Sequence, residues 1–175
     1  MTAAEAAHYS AIETLRDGRP LEIRAFTPDD RDGLVSAVSR ASPLSLYRRF
    51  FTSKRSFSEK ERAFFLNVDF EKHVALMAVT QKAGVKVIAG GARYVIVQPG
   101  KAEVAFLVAD EDQGQGIGAA LLRHLIDVAR AAGLETLIAE VLPENAPMLK
   151  VFAKSGLPMT TVHDSEVIHV TLRLH

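Results

Sequence analysis

The chain has 175 residues, 48% of them hydrophobic, with no cysteine and with Lys plus Arg matching Asp plus Glu at 21 each. That size suits one domain with a sizeable core, and the missing cysteines exclude disulfides, thiolate metal sites and a cysteine nucleophile. Charge balance gives no global field for nucleic acid or a membrane surface, no apolar run of about 18 residues is present to span a bilayer, and residues 1–20 lack a secretory signal, so the cytoplasm is the expected location.

Residues 2–16 are alanine-rich, with Ile12 and Leu15 on one side, and predict a short helix. Residues 1–20 therefore read as a helical extension ahead of a single domain over 21–175. Residues 21–26 alternate apolar and polar positions, the pattern of a half-buried strand. Thr27, Pro28, Asp29 and Asp30 then give a capping hydroxyl, a first-position proline and first-turn acids, a helix start that turns Leu34, Val35 and Val38 inward. Ser42-Pro43 opens a second helix, LSLYRRFF, and Ser58 with Glu61 forms a capping box before ERAFFLNV. The run from Tyr47 to Arg55 mixes bases with aromatics as single-strand binders do. With balanced charge and helical spacing of Leu46, Phe50 and Phe51, it reads first as a structural helix with a solvated basic face, and second as the lining of a cleft that would meet acidic residues around its target.

Three β-rich runs follow: residues 73–80, 86–97 and 101–108, divided by Ala83-Gly84 and Pro99-Gly100. Short connections make them an antiparallel meander. Gly90-Gly91 in the middle run marks a bulge or a close backbone approach. Next come a glycine-rich turn, a helix to about Ala132, a strand over 137–141, a helix over 146–154, and strands over 159–163 and 167–174. The sum is an α/β chain in the α+β sense: a central mixed, mainly antiparallel sheet flanked by helices on both faces.

The turn Gln113-Gly114-Gln115-Gly116-Ile117-Gly118 joins a strand to a helix N-terminus. First-turn amides lack intrahelical partners, the helix dipole adds positive potential, and glycines let a ligand come close, so the turn suits a phosphate or pyrophosphate. A Walker loop would need Gly-Lys-Ser/Thr, whereas Gly118 is followed by Ala119 and Ala120. Gly114, Gly116 and Ala119 fit the dinucleotide pattern G-x-G-x-x-A, with Glu140 about 20 residues on. Against that, four polar or acidic residues separate the strand from the turn, and too little chain follows for a doubly wound half. Gln113, Gly116 and Gly118 also meet Gln/Arg-x-x-Gly-x-Gly/Ala, a loop that wraps the pyrophosphate of coenzyme A. A turn that only connects two elements is the plainest alternative.

The element order, with EVAFLVADEDQGQGIGAALL and then EVLPENAPMLKVFAKSGL, resembles the GNAT superfamily of N-acetyltransferases over residues 21–174. SRASPLSLYRRFF, FLNVDFEKHVALMAV and AEVAFLVADEDQGQGIG are similar, more narrowly, to the catalytic domain of Pat-type protein lysine acetyltransferases. The resemblance implies acetyl-CoA as co-substrate, no metal, and a primary amine as acceptor, first a lysine of another protein and otherwise a small amine. It also implies a general base at Glu103. The residues support that on their own account: Glu103, Ala105 and Leu107 share one face of a mostly apolar strand, and a carboxylate there is costly unless paired or used. A rim glutamate beside Lys101 is the bland reading.

By the same resemblance, Leu107 and Val108 offer backbone groups to pantetheine. Gln113, Gly114, Gly116, Ile117, Gly118 and Ala119 bind pyrophosphate mostly by main chain, and Asn145 touches pantetheine. Asn145 before Ala146-Pro147 also reads as an N-cap. Phe152 departs from the family pattern. It stands where many members have a tyrosine that protonates the leaving thiolate, and it can pack against coenzyme A but cannot donate; Lys154 and Ser155 are nearby donors. The missing tyrosine keeps a non-catalytic acyl-CoA-binding module in view. Six histidines show no metal spacing, and His73 and His124 read as packing or surface residues. Open sheet edges allow a homodimer.

Overall fold

The computed structural model describes residues 1–50 and 58–175. Eight strands form one sheet: β1 (Ser10–Thr14), β2 (Pro20–Ala25), β3 (His73–Lys82), β4 (Val85–Gln98), β5 (Lys101–Val108), β6 (Thr136–Val141), β7 (Met159–His163) and β8 (Ile168–Arg173). Their order is β1-β2-β3-β4-β5-β6-β8-β7, antiparallel throughout except for the parallel pair β5–β6. Among the described residues six helices accompany them: α1 (Ala3–Ala6), α2 (Arg31–Arg40), α3 (Pro43–Phe50), α4 (Glu59–Leu66), α5 (Ile117–Ala131) and α6 (Ala146–Ala153). The mixed, mainly antiparallel sheet is the one expected.

Helices lie on both faces. Leu121, Leu122, Leu125 and Val128 of α5 pack with Ile23, Leu76, Val104 and Leu172 in the larger core, which Phe152 of α6 joins. A smaller cluster on the opposite face joins Phe26, Ala75, Met77 and Val79 to Leu34, Leu66 and Ile88. The period-2 alternation of β5 divides these layers: Ala102 and Val104 belong to the α5 core, and Ala105 and Leu107 face the other way.

Gly90-Gly91 answers to both expectations. The β3–β4 register slips between Ala78 and Val79, leaving Ala89 as the extra residue, and the Ala89 carbonyl accepts from Ala109 N–H at 2.7 Å. A Cβ on Gly90 would stand 2.8 Å from the Leu107 carbonyl oxygen, and one on Gly91 2.9 Å from Met77 Cε. At Gly90, β4 and β5 therefore approach more closely than a side chain would permit, while at Gly91 the neighbour is the movable end of Met77 on β3.

The N-terminal helix is shorter than expected. Only Ala3–Ala6 is helical, and Ser10–Thr14 pairs with β2 as an edge strand. Alanine favours helix locally, but ladder bonds along β2 and a side-chain clasp override it. In that clasp Tyr9 Oη and His124 Nδ1 lie 2.5 Å apart, and Glu13 accepts from His124 Nε2 at 2.6 Å. Val35 is also corrected: it is exposed, while Leu34 and Val38 of the same helix turn toward the sheet.

The entry to α2 is fixed by Asp30. Its carboxylate accepts from Arg24 Nη1 and Nη2, each at 2.7 Å, and from Thr27 N–H at 2.7 Å. Burial works to raise the Asp30 carboxyl, but the Arg24 and Thr27 bonds outweigh it and hold it below the ordinary value. A depressed carboxyl stabilises the fold above the unfolded pKa and loses that contribution as pH falls through the folded one. Asp30→Asn should therefore cost about 2 kcal/mol at pH 7, and the gap from the unaltered protein should narrow below about pH 4. Denaturant titrations at pH 7 and pH 3 measure both.

Candidate active site

Strands β5 and β6 pair over three positions only, Lys101–Thr136, Ala102–Leu137 and Glu103–Ile138. Beyond Glu103 they part, and the gap widens into a cleft of about 630 Å³. The glycine turn closes one end. A single 3-10 turn over Asp110–Asp112 leads to Gly114 and Gly116, whose φ values of 80° and 90° are left-handed. Gly116 caps α5, and the first helical bond runs from Ala120 N–H to Gly116 O at 3.0 Å. The amides of Ile117, Gly118 and Ala119 precede that bond, at the positive end of the helix dipole.

All eleven residues expected at the site line this one cleft: Glu103 with Leu107 and Val108 on β5, the six of the glycine turn, and Asn145 and Phe152 across from them. Their individual behaviour is less uniform. The Gln113 side chain is a brace, its Nε2 donating to Val108 O and to Ser45 Oγ, each at 3.2 Å. Asp110 extends that brace, accepting from Ser45 Oγ at 2.5 Å and Ser42 N–H at 2.9 Å, and so pins the turn to α3. Asn145 caps α6, accepting from Met148 N–H at 3.3 Å. Phe152 is only 1% exposed and meets Phe106 edge-on at 5.8 Å.

Glu103 departs from the apolar burial expected of it. Its side chain is exposed into the cleft at the point where the two strands separate. Arg49 of α3 lines the same cleft. Burial lowers the Arg49 guanidinium to about 10, and the Glu103 charge works the other way, which puts the two within electrostatic reach. The basic face of α3 follows the second of its two readings rather than the solvated one: Arg48 and Arg49 both line the cleft, and Arg48 donates to Glu144 at 3.1 Å. Residues 51–55 of that basic run, with Phe51, lie outside the described residues.

Sequence reading missed Arg16 and Lys150, which also line the cleft. Arg16 reaches from the β1–β2 turn, its Nη1 donating to Gly114 O at 3.3 Å. No local signal marks it, because the contact spans 98 positions. His124 is held between Tyr9 and Glu13, and His73 is buried and accepts from Arg93. Neither lines the cleft. Of the two alternative proton donors, Lys154 lines it and Ser155 does not.

The acetyltransferase (GNAT) family model matches residues 41–157. The chain belongs to the GNAT family. Its GNAT fold brings the β5–turn–α5 unit into an otherwise antiparallel sheet, which removes the dinucleotide-binding alternative. Acetyltransferase PA5475 of Pseudomonas aeruginosa is 33% identical over 132 residues, 75% of this chain and 70% of that protein. Acetyltransferase Pat of Mycolicibacterium smegmatis is 33% identical over 144 residues, and the match spans 42% of Pat. Among solved structures, the GNAT domain of S. lividans PAT superposes with a TM-score of 0.83 at 35% identity, covering 94% of this chain and 96% of that one. The fold is shared as well by yncA from Salmonella typhimurium, solved with its cofactor acetyl-CoA, at a TM-score of 0.72 and 18% identity. The protein is accordingly a GNAT acetyltransferase with acetyl-CoA as co-substrate and an amine as acceptor. No helix among the described residues is long and apolar enough to cross a membrane.

Proposed function

We propose that Glu103 is the general base of a direct transfer in a ternary complex. A primary amine must be neutral to attack, yet a free lysine amine has a pKa of about 10.4. The Glu103 carboxylate takes one amine proton, directly or through one water, as the nitrogen attacks the thioester carbonyl carbon. The C–S bond then breaks, and coenzyme A leaves as a thiolate that takes up a proton. The edge of β5 at Leu107 and Val108 that no described strand covers runs alongside pantetheine, with the Val108 carbonyl also held by Gln113. Main-chain amides of Gly114, Gly116, Ile117, Gly118 and Ala119 hold the pyrophosphate, which the dipole of α5 favours. Asn145 fixes the start of α6 against pantetheine, and Phe152 supports that wall from beneath. The observation that carries this reading is the position of Glu103 at the parting of β5 and β6, in one cleft with the glycine turn.

Lysine side chains of other proteins are the first acceptor class, supported by the likeness to Pat. The test incubates the protein with acetyl-CoA and lysine-containing proteins and reads acetylated lysines by mass spectrometry. Acetyl-CoA binding without transfer to any amine would leave an acyl-CoA-binding module instead. A small-molecule amine is the second reading, favoured by a mainly apolar cavity that adjoins the cleft. A cytoplasmic location agrees with that chemistry. Strands β1 and β7 are the sheet edges through which a homodimer would form, and sedimentation tests it.

A further inference from the structure

On the face opposite α5, helices α2, α3 and α4 and strands β3 to β5 line a second cavity of about 610 Å³. Its walls are mainly apolar, with Leu34, Val38, Leu66, Met77 and Ile88 among them. The ionisable residues in its described lining are Arg49, Arg62 and Arg93, with no carboxylate. Residues 51–57, read as sequence, hold no Asp or Glu either. An apolar cavity of one charge sign selects an amphipathic ligand of the other sign.

Arg93 gives that preference a geometry. It is 9% exposed, and Nη1 makes both of its described hydrogen bonds, to Phe65 O at 3.1 Å and to His73 Nε2 at 2.9 Å. The Phe65 ring lies against the guanidinium, 5.0 Å from its central carbon. His73 is an acceptor here and no counter-charge, since burial first and Arg93 second lower it to about 4. Among the described residues, Nε and Nη2 have no acceptor. No fully buried side-chain nitrogen among those residues lacks one, so these two donors open on the cavity. Together they form the side-on fork that a carboxylate fits bidentately. A buried cation without a counter-ion is costly, and an arriving carboxylate relieves that cost.

The cavity meets the cleft at Arg49, Ala105 and Leu107, which line both. Arg93 stands opposite Ala105, and Glu103 opposite Val95, one diagonal step away on the same sheet face. Such diagonal neighbours are about 7–8 Å apart. We propose that the cavity is the acceptor site for a primary amine joined through an apolar chain to a carboxylate, an ω-amino acid. Its amine meets Glu103, its chain crosses the shared wall at Ala105, and its carboxylate takes Nε and Nη2 of Arg93. This rests on the transferase reading above and names the substrate class for the small-molecule branch of it.

The test measures thiol release from acetyl-CoA with 6-aminohexanoate, its carboxamide and hexylamine, on the unaltered protein. The acid should exceed the carboxamide in kcat/KM by about tenfold, the worth of one charge-assisted pair in a buried site. In Arg93→Gln that ratio should collapse toward one, chiefly through KM for the acid. Because Arg93 also holds Phe65, the acid-to-carboxamide ratio on the unaltered protein decides the matter even if the variant unfolds. Equal kcat/KM for acid and carboxamide would overturn the inference, leaving Arg93 as a strut for α4. So would acetylation of protein lysines with none of the three amines consumed, and both of these outcomes leave the transferase reading standing. Failure to turn over acetyl-CoA with any acceptor would overturn both.

Discussion

Glu103→Gln should reduce turnover by about 10²- to 10⁴-fold, the usual contribution of a positioned general base, while acetyl-CoA still binds with unchanged affinity. The amide keeps the size and much of the hydrogen-bonding shape of the carboxylate but cannot accept the amine proton. Glu103 projects from the last residue pair that joins β5 to β6, so the backbone that places it is set by the ladder and survives the change. The residual rate should climb with pH as solvent takes over deprotonation of an amine with a pKa near 10.4. Steady-state kinetics at several pH values, with calorimetric titration of acetyl-CoA, separate the two effects. An unchanged rate would remove Glu103 from the chemistry, and a lost acetyl-CoA affinity would make it a binding residue.

Gly116→Val should weaken acetyl-CoA binding by more than tenfold, over about 1.4 kcal/mol. Gly116 has φ of 90°, where a β-branched residue is strained. A Cβ there would meet nothing within 4 Å, so the added isopropyl group would stand in open space beside the first-turn amides of α5. Both the strain and the obstruction fall on the proposed pyrophosphate site. Gly133, just past the other end of α5, has φ of 82° and is equally open. Gly133→Val therefore carries the same backbone strain, and its acetyl-CoA affinity should stay that of the unaltered protein. Titration calorimetry on the pair distinguishes a ligand effect from a folding effect.

The meander β3–β5 was legible because its punctuation is local. Ala83 and Gly84 have φ of 50° and 77°, and Gly100 has 74°, so three of the four turn residues named in the sequence take left-handed backbone, and Pro99 supplies the fixed negative φ before the last of them. The glycine turn and α5 were legible for the same reason. What escaped was set by pairing across the chain. Ser10–Thr14 follows an alanine-rich segment and looks helical until the edge of β2 is available to it. The directions of Arg48 and Arg49 depend on which sheet face α3 covers, and Arg93 sits in a strand whose pattern says only that it faces away from Ala92 and Tyr94. Gln113 was rightly placed in the turn, yet its side chain bends back to Val108 and Ser45, a contact that no spacing rule contains.

The three-residue join between β5 and β6 has a consequence for stability as well as for chemistry. The sheet is effectively two panels, β1–β5 and β6–β8, sewn together at one end and unfinished at the other. A ligand with amide groups that lies along the open edge adds the missing course and completes the wall. Such a protein should be tougher when its co-substrate is abundant, since binding only the folded form adds about 2.7 kcal/mol at a hundred times the dissociation constant. Its resistance to unfolding then becomes a gauge of the acetyl-CoA around it.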